Sequence, residues 1–401
     1  MPHCRLLLGF SVAVALVIVH SASAAELTRL TSAIPFPRGL ALADPDGDGA
    51  PSLYVLSRGR VRGSGGVDPK LDDRAGTIWE VDPATGEAVV FADPTEPPFR
   101  LLDRSLANPT DDEATDRPYC SLRWDEATRS FYLCAFSGID LADNAEAGGF
   151  RKNYTDAVLR YDVDEEAWSE VDRHDPADGA TYPGSDGRGW TKGPDNCLVI
   201  SGQVLVAAKD NNRVVLYDPT GQREPQVLLG ESVRLANRDG EERNVLGHSA
   251  LGYRDGWLYV GFRTSGEIIR VPLALETPES GDAVLHVSPE RAELLAELEP
   301  FDRETGRSAN VTDLDIGPEG DVYVVSAKPA KIFRFTPDPS NVRDYVDGSG
   351  AWLDLSAMTN NDRMKSENVL AAKDGAVYVT SGDAYGNDQA EGLGGTVWVY
   401  R

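Results

Sequence analysis

The chain has little positive charge and few histidines. Among 401 residues, 39 Lys and Arg stand against 65 Asp and Glu, so the formal net charge is −26, and there are 5 histidines. A surface this acidic repels phosphate groups, and we therefore expect no nucleic-acid partner. Hydrophobic residues still make up 41% of the chain, so it is neither a disordered acidic segment nor a membrane bundle.

Long hydrophobic runs are missing beyond residues 6–19, and that run is too short to span a bilayer. It follows Arg5 and precedes the small residues Ala22 and Ala24, which is typical of a secretory signal peptide. We expect residues 1–24 to be cleaved, which leaves a secreted or periplasmic protein without a membrane span. An uncleaved anchor is the alternative.

The common catalytic motifs are also missing from residues 25–401. There is no Gly-x-Ser-x-Gly elbow, no His-Glu-x-x-His pair and no phosphate-binding glycine loop. The function must therefore be inferred from the architecture and from the polar residues that the architecture brings together.

Cysteines are scarce, and three remain after residue 24. Cys120 and Cys134 flank a polar turn, and a hairpin centred near Ala127 would place them opposite each other. Opposed strand residues can meet disulfide geometry, and an exported protein is in a compartment that permits disulfides. We expect a Cys120–Cys134 disulfide and a buried thiol at Cys197.

Glycine and proline, by contrast, are abundant, with 39 and 25 residues, which indicates many turns and few long helices. A turn followed by an alternating apolar strand of the Leu-Tyr-Val type recurs six times, with other short apolar segments before and after it. The six copies begin at Ser52, Ser130, Gly202, Asp255, Gly320 and Asp374. Four short strands in each period of roughly 66 residues are typical of a propeller blade.

The last copy ends at Arg401 after three strands, and residues 26–30 can supply the fourth, which would close the ring. We therefore predict an all-β, six-bladed β-propeller over residues 25–401, closed by the N-terminal strand in the last blade, and we expect a monomer. Long insertions around residues 92–117 and 140–192 would be surface loops or a binding lip. A degenerate seventh blade in this region is the alternative.

Residues 196–218 read Asn-Cys-Leu-Val-Ile, then Gly-Gln-Val-Leu-Val, then Arg-Val-Val-Leu-Tyr-Asp, and residues 310–335 are the next closest segment. This pattern resembles the six-bladed propellers of the NHL and SMP-30/gluconolactonase-like group. The resemblance implies the fold. It also implies a divalent metal in the central channel, held by a Glu, Asn and Asp set.

In this sequence Asn196 matches the asparagine of that set, Glu367 offers a carboxylate, and Thr312 or Asp313 stands at the aspartate position. The first-blade glutamate is missing, because Arg38 and its neighbours stand in its place.

An acidic loop in the first blade holds Asp44, Asp46 and Asp48, with Ser52 at its ninth position. Oxygens at positions 1, 3, 5 and 9 can surround a hard cation. The loop resembles the calcium loops of FG-GAP propellers, which usually carry Asp where Ser52 stands. We predict a structural calcium site here, with a polar Asp-Gly hairpin as the alternative.

In a propeller, the first strand of each blade lines the channel, and its leading residues surround one mouth. Those residues are Arg38, Tyr119, Asn196, His248, Thr312 and Glu367, with Asp313 and Asn368 beside them. Convergent polar groups at a concave mouth are the default ligand site. A histidine beside a carboxylate can act as a general base, whereas a hydrogen-bonded core histidine is the alternative for His248.

Two functions follow from these residues. The first is an exported calcium-binding propeller whose channel mouth binds a small or carboxylate-bearing ligand, or a partner, because Arg38 favours an anion. The second is a calcium-dependent hydrolase of the lactonase or esterase type. There a channel cation would polarise the carbonyl while His248 or Glu367 activates water.

Overall fold

A computed structural model gives the fold of residues 26–401. The structure describes these residues apart from 36, 58–75, 94–118, 136–155, 175–192, 210, 231–232, 237–241, 277–282, 299–308, 328, 347–348, 361–363 and 384–394. The predicted signal peptide, residues 1–24, lies outside the described residues, as does most of the two predicted insertions.

Six sheets of four or more strands form the blades, and each runs outward from an inner strand. Their strands pair antiparallel apart from one parallel pair at the outer edge of blade 4. Strand β1 (Leu27–Thr31) precedes them. Blade 1 contains β2 (Pro37–Ala43), β3 (Ser52–Ser57), β4 (Ile78–Val81) and β5 (Ala88–Ala92). Blade 2 contains β6 (Tyr119–Asp125), β7 (Ser130–Ala135), β8 (Asp156–Asp162) and β9 (Ala167–His174). Blade 3 contains β10 (Pro194–Ile200), β11 (Gln203–Ala208), β12 (Arg213–Tyr217) and β13 (Gln226–Leu229).

A short hairpin of β14 (Arg234–Ala236) and β15 (Glu242–Asn244) connects blade 3 to blade 4. Blade 4 contains β16 (His248–Arg254), β17 (Trp257–Phe262), β18 (Glu267–Glu276), β19 (Val284–Val287) and β20 (Glu293–Leu298). Blade 5 contains β21 (Val311–Ile316), β22 (Val322–Ser326), β23 (Lys331–Phe335) and β25 (Leu353–Asp354). Strand β24 (Arg343–Tyr345), which precedes β25 in the chain, pairs in parallel with β20 and extends the sheet of blade 4. After α1 (Leu355–Thr359), blade 6 contains β26 (Met364–Ala371), β27 (Val377–Asp383) and β28 (Thr396–Tyr400).

The ring closes as predicted, because β1 pairs with β28 and completes blade 6. Leu27 lies opposite Tyr400 and Thr28 opposite Val399, and the Thr28 hydroxyl donates to the Val399 carbonyl. The inner strands β2, β6, β10, β16, β21 and β26 contact one another in that circular order. No helix in the described part of the chain is long and apolar enough to cross a membrane.

The range 140–192, predicted as one insertion, contains two strands of blade 2. Strands β8 and β9 lie inside it, so the insertion is limited to the flanking residues 140–155 and 175–192, outside the described residues. The outer strand β9 reads Ala-Trp-Ser-Glu-Val-Asp-Arg-His, a polar composition typical of a loop. Its position at the solvent side of the blade explains that composition, since an outer strand needs little apolar surface.

The hydrophobic core is divided among the blade interfaces. Six buried clusters are found in the described residues, and each contains residues from two neighbouring blades, for example Leu56 and Leu133 between blades 1 and 2. Leu and Val side chains at these positions are fully buried, each contributing about 1.5–3 kcal/mol. The alternating apolar strands predicted from the sequence therefore hold the blades to one another.

Gly39 lies where blades 1 and 2 come closest to the channel. A Cβ atom at Gly39 would lie 2.9 Å from the Cβ atoms of Leu122 and Leu56. We expect Gly39→Ala to lower the free energy of unfolding by about 1–3 kcal/mol through overpacking, as measured by urea denaturation.

Gly230→Ala is the matched control for this prediction, because its nearest contact would be Val227 Cγ1 at an ordinary 3.8 Å. Equal urea midpoints for the two variants would contradict the prediction.

Candidate functional site

Each inner strand carries an irregularity at the same place in its pairing with the second strand of its blade. The residues within these six steps are Arg38 and Gly39, Ser121, Asp195, Ser249, Thr312, and Glu367 with Asn368. A β-bulge adds one residue and redirects side chains. Polar residues from different blades therefore meet at the channel mouth.

Three of these side chains, together with Arg263 after β17, form a charged group that we call the mouth cluster: Arg38, Asp195, Glu367 and Arg263. The Arg38 Nη2 atom lies 3.2 Å from Glu367 Oε2 and 3.8 Å from Asp195 Oδ1. Arg263 Nη1 donates to Asp195 Oδ2 at 3.1 Å. Arg38 and Asp195 are 4% and 3% exposed, so these charges depend on one another for compensation.

Beside the mouth cluster lies the Asp313 cluster, which consists of Asp313, Asn196, Asn368 and Arg123. Asn196 Nδ2 donates to Asp313 Oδ1 at 2.5 Å, and Asn368 Nδ2 donates to Asp313 Oδ2 at 3.1 Å. Arg123 Nη2 donates both to Asp313 Oδ1, at 3.0 Å, and to Asn196 Oδ1, at 3.2 Å. Residues from blades 2, 3, 5 and 6 therefore meet on one buried carboxylate.

The Asp313 carboxylate does not fit a channel metal in this arrangement, because its lone pairs are taken by hydrogen bonds. The donors to its two oxygens are Asn196 Nδ2, Arg123 Nη2, Leu314 N, Asn368 Nδ2 and Val369 N. A divalent cation needs free carboxylate or amide oxygens. Glu367, the other expected carboxylate ligand, is paired with Arg38. The side chains that the resemblance implies as metal ligands therefore make hydrogen bonds and ion pairs with other residues instead.

Burial shifts the pKa of two carboxyl groups on β21. Burial raises the pKa of Asp313 above its usual value, although Arg123 and the two asparagines act in the opposite direction. Burial likewise raises the pKa of Asp315 from 3.8 to about 6, against the effect of Arg123 and of the Ala371 N–H that donates to it at 2.8 Å.

His248 precedes the bulge of blade 4, where Ser249 takes the bulged place. The imidazole is fully buried and packs edge-on against Phe262, with ring centroids 4.7 Å apart. Neither ring nitrogen has a hydrogen-bond partner among the described residues. Burial lowers its pKa to about 3, so the side chain is neutral near pH 7. The imidazole therefore lies in the core, without the hydrogen bond that the alternative assumed, and the general-base role stays a prediction.

Three predicted ligand residues remain to be described: Thr312, Asn368 and Tyr119. Thr312 and Asn368 are buried at adjacent bulges, and Thr312 Oγ1 and Asn368 Oδ1 have no hydrogen-bond partner within the described residues. Tyr119 begins β6, but its side chain lies outside the described part of the structure, and Ser121 takes the bulged place in blade 2.

Sequence reasoning missed Arg123 and Asp315 in the channel. Asp315 had a signal, because side chains two residues apart on a strand share a face and Asp313 was already a candidate. Arg123 pairs with Tyr132 as Asp315 pairs with Tyr323, so it occupies the same place in blade 2 that Asp315 occupies in blade 5, and this equivalence was its only signal.

The acidic loop brings three carboxylates together. The ligand atoms of Asp44, Asp46 and Asp48 lie within 4.8 Å of one another. Asp44 also accepts hydrogen bonds from the backbone, including Gly49 N at 2.8 Å. The hydrogen bond with Asp44 raises the pKa of Asp46, which indicates how closely the carboxylates are placed. Ser52, the predicted fourth ligand, donates instead to Glu80 Oε1 at 2.8 Å.

The cysteines have the predicted register but not the predicted bond. Cys120 lies directly opposite Cys134, yet both are buried free thiols, as is Cys197. The sulfurs have other partners, since Cys120 Sγ donates to the Pro194 carbonyl at 3.2 Å and Cys134 hydrogen-bonds to Cys197. Cys197 is the buried thiol that the sequence predicted.

No family model and no curated protein matches the chain. Several solved structures do. A gluconolactonase from Xanthomonas campestris is 12% identical, with 94% of this chain and 89% of that chain covered and a TM-score of 0.47. A putative oxidoreductase (glucose dehydrogenase) from Thermus thermophilus is 13% identical, with 94% and 100% covered and a TM-score of 0.48. Regucalcin, a calcium-binding protein from Agrobacterium tumefaciens, is 10% identical, with 93% and 92% covered and a TM-score of 0.42.

The structural neighbours are six-bladed propellers of the SMP-30, gluconolactonase and regucalcin kind. The predicted likeness is confirmed as a likeness of architecture. The reaction or ligand has to be inferred from the side chains of this channel.

Asp315 allows a test by pH. Its carboxyl keeps a proton up to about pH 6 in the folded protein but loses it near the usual pKa of 3.8 when unfolded. The folded state therefore binds more protons between these values, and the free energy of unfolding rises as the pH falls from about 6 to about 4. We expect Asp315→Asn to lose this rise, about 2 kcal/mol between pH 6 and pH 4, in urea denaturation at successive pH values. An unchanged pH profile would contradict the assignment.

Proposed function

We propose that the channel mouth binds a neutral small molecule rich in hydroxyl groups. Three buried polar atoms without a hydrogen-bond partner in the described residues carry this proposal: Asp195 Oδ1, Thr312 Oγ1 and Asn368 Oδ1. A buried polar atom without a partner costs about 1–3 kcal/mol. Two of these atoms can only accept hydrogen bonds, so a ligand that donates through hydroxyl groups would satisfy them.

Charge balance favours a neutral ligand over a carboxylate. The mouth cluster contains two arginines and two carboxylates. A carboxylate on the ligand would have to compete with Glu367 and Asp195 for the Arg38 guanidinium. We therefore still propose a small-molecule ligand, as expected from the sequence, but a neutral one in place of a carboxylate.

Hydrolysis of a hydroxyl-bearing lactone or ester at the same mouth is the second candidate. The observation in its favour is the Arg38–Glu367 pair, 3.2 Å apart, which offers a base beside a fixed positive charge. Glu367 would take a proton from water as the water attacks the carbonyl, and Arg38 would stabilise the developing oxyanion. The gluconolactonase among the similar structures acts on a molecule of this kind, as its name says.

We also propose that the protein is exported and that calcium binds the acidic loop as a structural ion. The sequence pattern of residues 1–24 supports export, and the convergence of Asp44, Asp46 and Asp48 supports calcium. Extracellular modules commonly bind calcium with dissociation constants of about 0.1–1 mM, which suits a site with three carboxylates on an exposed loop.

Thr312→Val tests the binding site, because valine keeps the shape and removes the hydroxyl. We expect it to weaken binding of gluconolactone or glucose by about tenfold, as measured by calorimetry. Thr28→Val on β1, whose hydroxyl donates to Val399 O, is the matched control and should bind normally. Tighter binding of gluconate than of either neutral compound would contradict a neutral ligand.

Turnover separates the two candidate functions. If the protein is a hydrolase, the wild type releases acid from gluconolactone in a pH-stat above the spontaneous rate, and Glu367→Gln lowers this rate by at least about 100-fold. Binding without turnover excludes the hydrolase.

Asp46→Asn tests the calcium site. We expect calcium to raise the melting temperature of the wild type by a few degrees and to leave that of the variant unchanged, as measured by calorimetry. The control is Asp82→Asn, which changes another loop aspartate, one that accepts hydrogen bonds from Ala84 N and Thr85 N. A calcium response that survives in Asp46→Asn would place the ion elsewhere.

A further inference from the structure

Arg123 is one of two charged residues at its place in the repeat. The inner-strand residues that pair with the same place of the second strand are Ala41, Arg123, Leu198, Gly252, Asp315 and Leu370. The residue before each of them is apolar and fully buried, as at Leu122 in blade 2. Blade 2 therefore places a guanidinium where blade 5 places the carboxylate of Asp315.

The guanidinium is held by oxygen atoms from two other blades. Its Nη2 atom donates to Asp313 Oδ1 and to Asn196 Oδ1, so two acceptors converge on a single nitrogen. Its Nη1 atom donates to the Leu122 carbonyl at 3.1 Å, which fixes its orientation. The Asp315 carboxylate adds a second negative charge nearby.

Convergent carboxylate and amide oxygens are also what a divalent cation requires. A buried carboxylate needs a positive charge close by, and a guanidinium supplies it permanently, without a supply of metal. We propose that Arg123 is the resident cation of this channel, in the place of a divalent metal ion. Removing it would take one donor from Asp313 Oδ1 and one from Asn196 Oδ1, and it would leave the buried carboxylate without its neighbouring positive charge. A divalent cation would then bind in the place of the guanidinium, because it restores that charge. This inference does not depend on what the mouth binds.

The test uses the full chain with Asp46→Asn, so that the acidic loop does not contribute bound calcium. In this parent protein we expect no metal bound in stoichiometric amount after dialysis, and no change in melting temperature with calcium or manganese. Adding Arg123→Ala should lower the melting temperature in chelator. Either ion should then raise it by about 5 °C at about 100 times its dissociation constant, with one ion bound per chain.

Arg270→Ala in the same parent is the matched control. It also removes an arginine from a carboxylate, since Arg270 Nε donates to Glu293 Oε2 at 2.6 Å, but it lies outside the channel. We expect that variant to lose stability without recovery by either ion.

Arg123→Gln is the second channel variant, and it keeps a polar side chain in case alanine prevents folding. A variant that folds only when the cation is present supports the proposal. A stoichiometric metal ion in the Asp46→Asn parent would overturn it. So would the absence of cation-dependent recovery in both Arg123→Ala and Arg123→Gln, whether or not they fold.

Discussion

One buried carboxylate, that of Asp313, joins four of the six blades at the channel. It accepts hydrogen bonds from Arg123 of blade 2, Asn196 of blade 3 and Asn368 of blade 6, and it belongs to blade 5. An unpaired charge in this position would cost several kcal/mol, so the donors must stay in place whenever the protein is folded. The inner strands are therefore positioned by a polar contact as well as by the apolar interfaces between blades.

The mouth cluster is connected to the Asp313 carboxylate through the backbone. Asp195 immediately precedes Asn196, and Glu367 immediately precedes Asn368, so each mouth carboxylate is covalently attached to a residue that holds Asp313. In a regular strand such neighbours would point to opposite faces. The bulges remove that alternation, and consecutive side chains then contribute to the mouth cluster and to the Asp313 cluster.

The blades, their number and their closure could be predicted from the sequence, because alternating apolar strands and turn glycines repeat along the chain. The polar residues near the mouth could be named for the same reason, among them Arg38, Asn196 and Glu367. The way in which they pair with one another could not be predicted, because a bulge has no sequence signature and shifts the channel position by one residue, from His248 to Ser249. Arg123 was missed because the equivalent residues of four blades are uncharged, as at Ala41 and Leu198, and the fifth is Asp315, which was also missed.

Closure of the ring by β1 and β28 has a consequence for biosynthesis. The first strand of the described fold emerges from the ribosome long before its partner β28. Until β28 has been synthesised, blade 6 lacks the pairing that joins the two ends of the fold, and β1 keeps an open edge. The ring can therefore be finished only once β28 has left the ribosome, and a product truncated before β28 would retain a strand edge free to pair with another molecule.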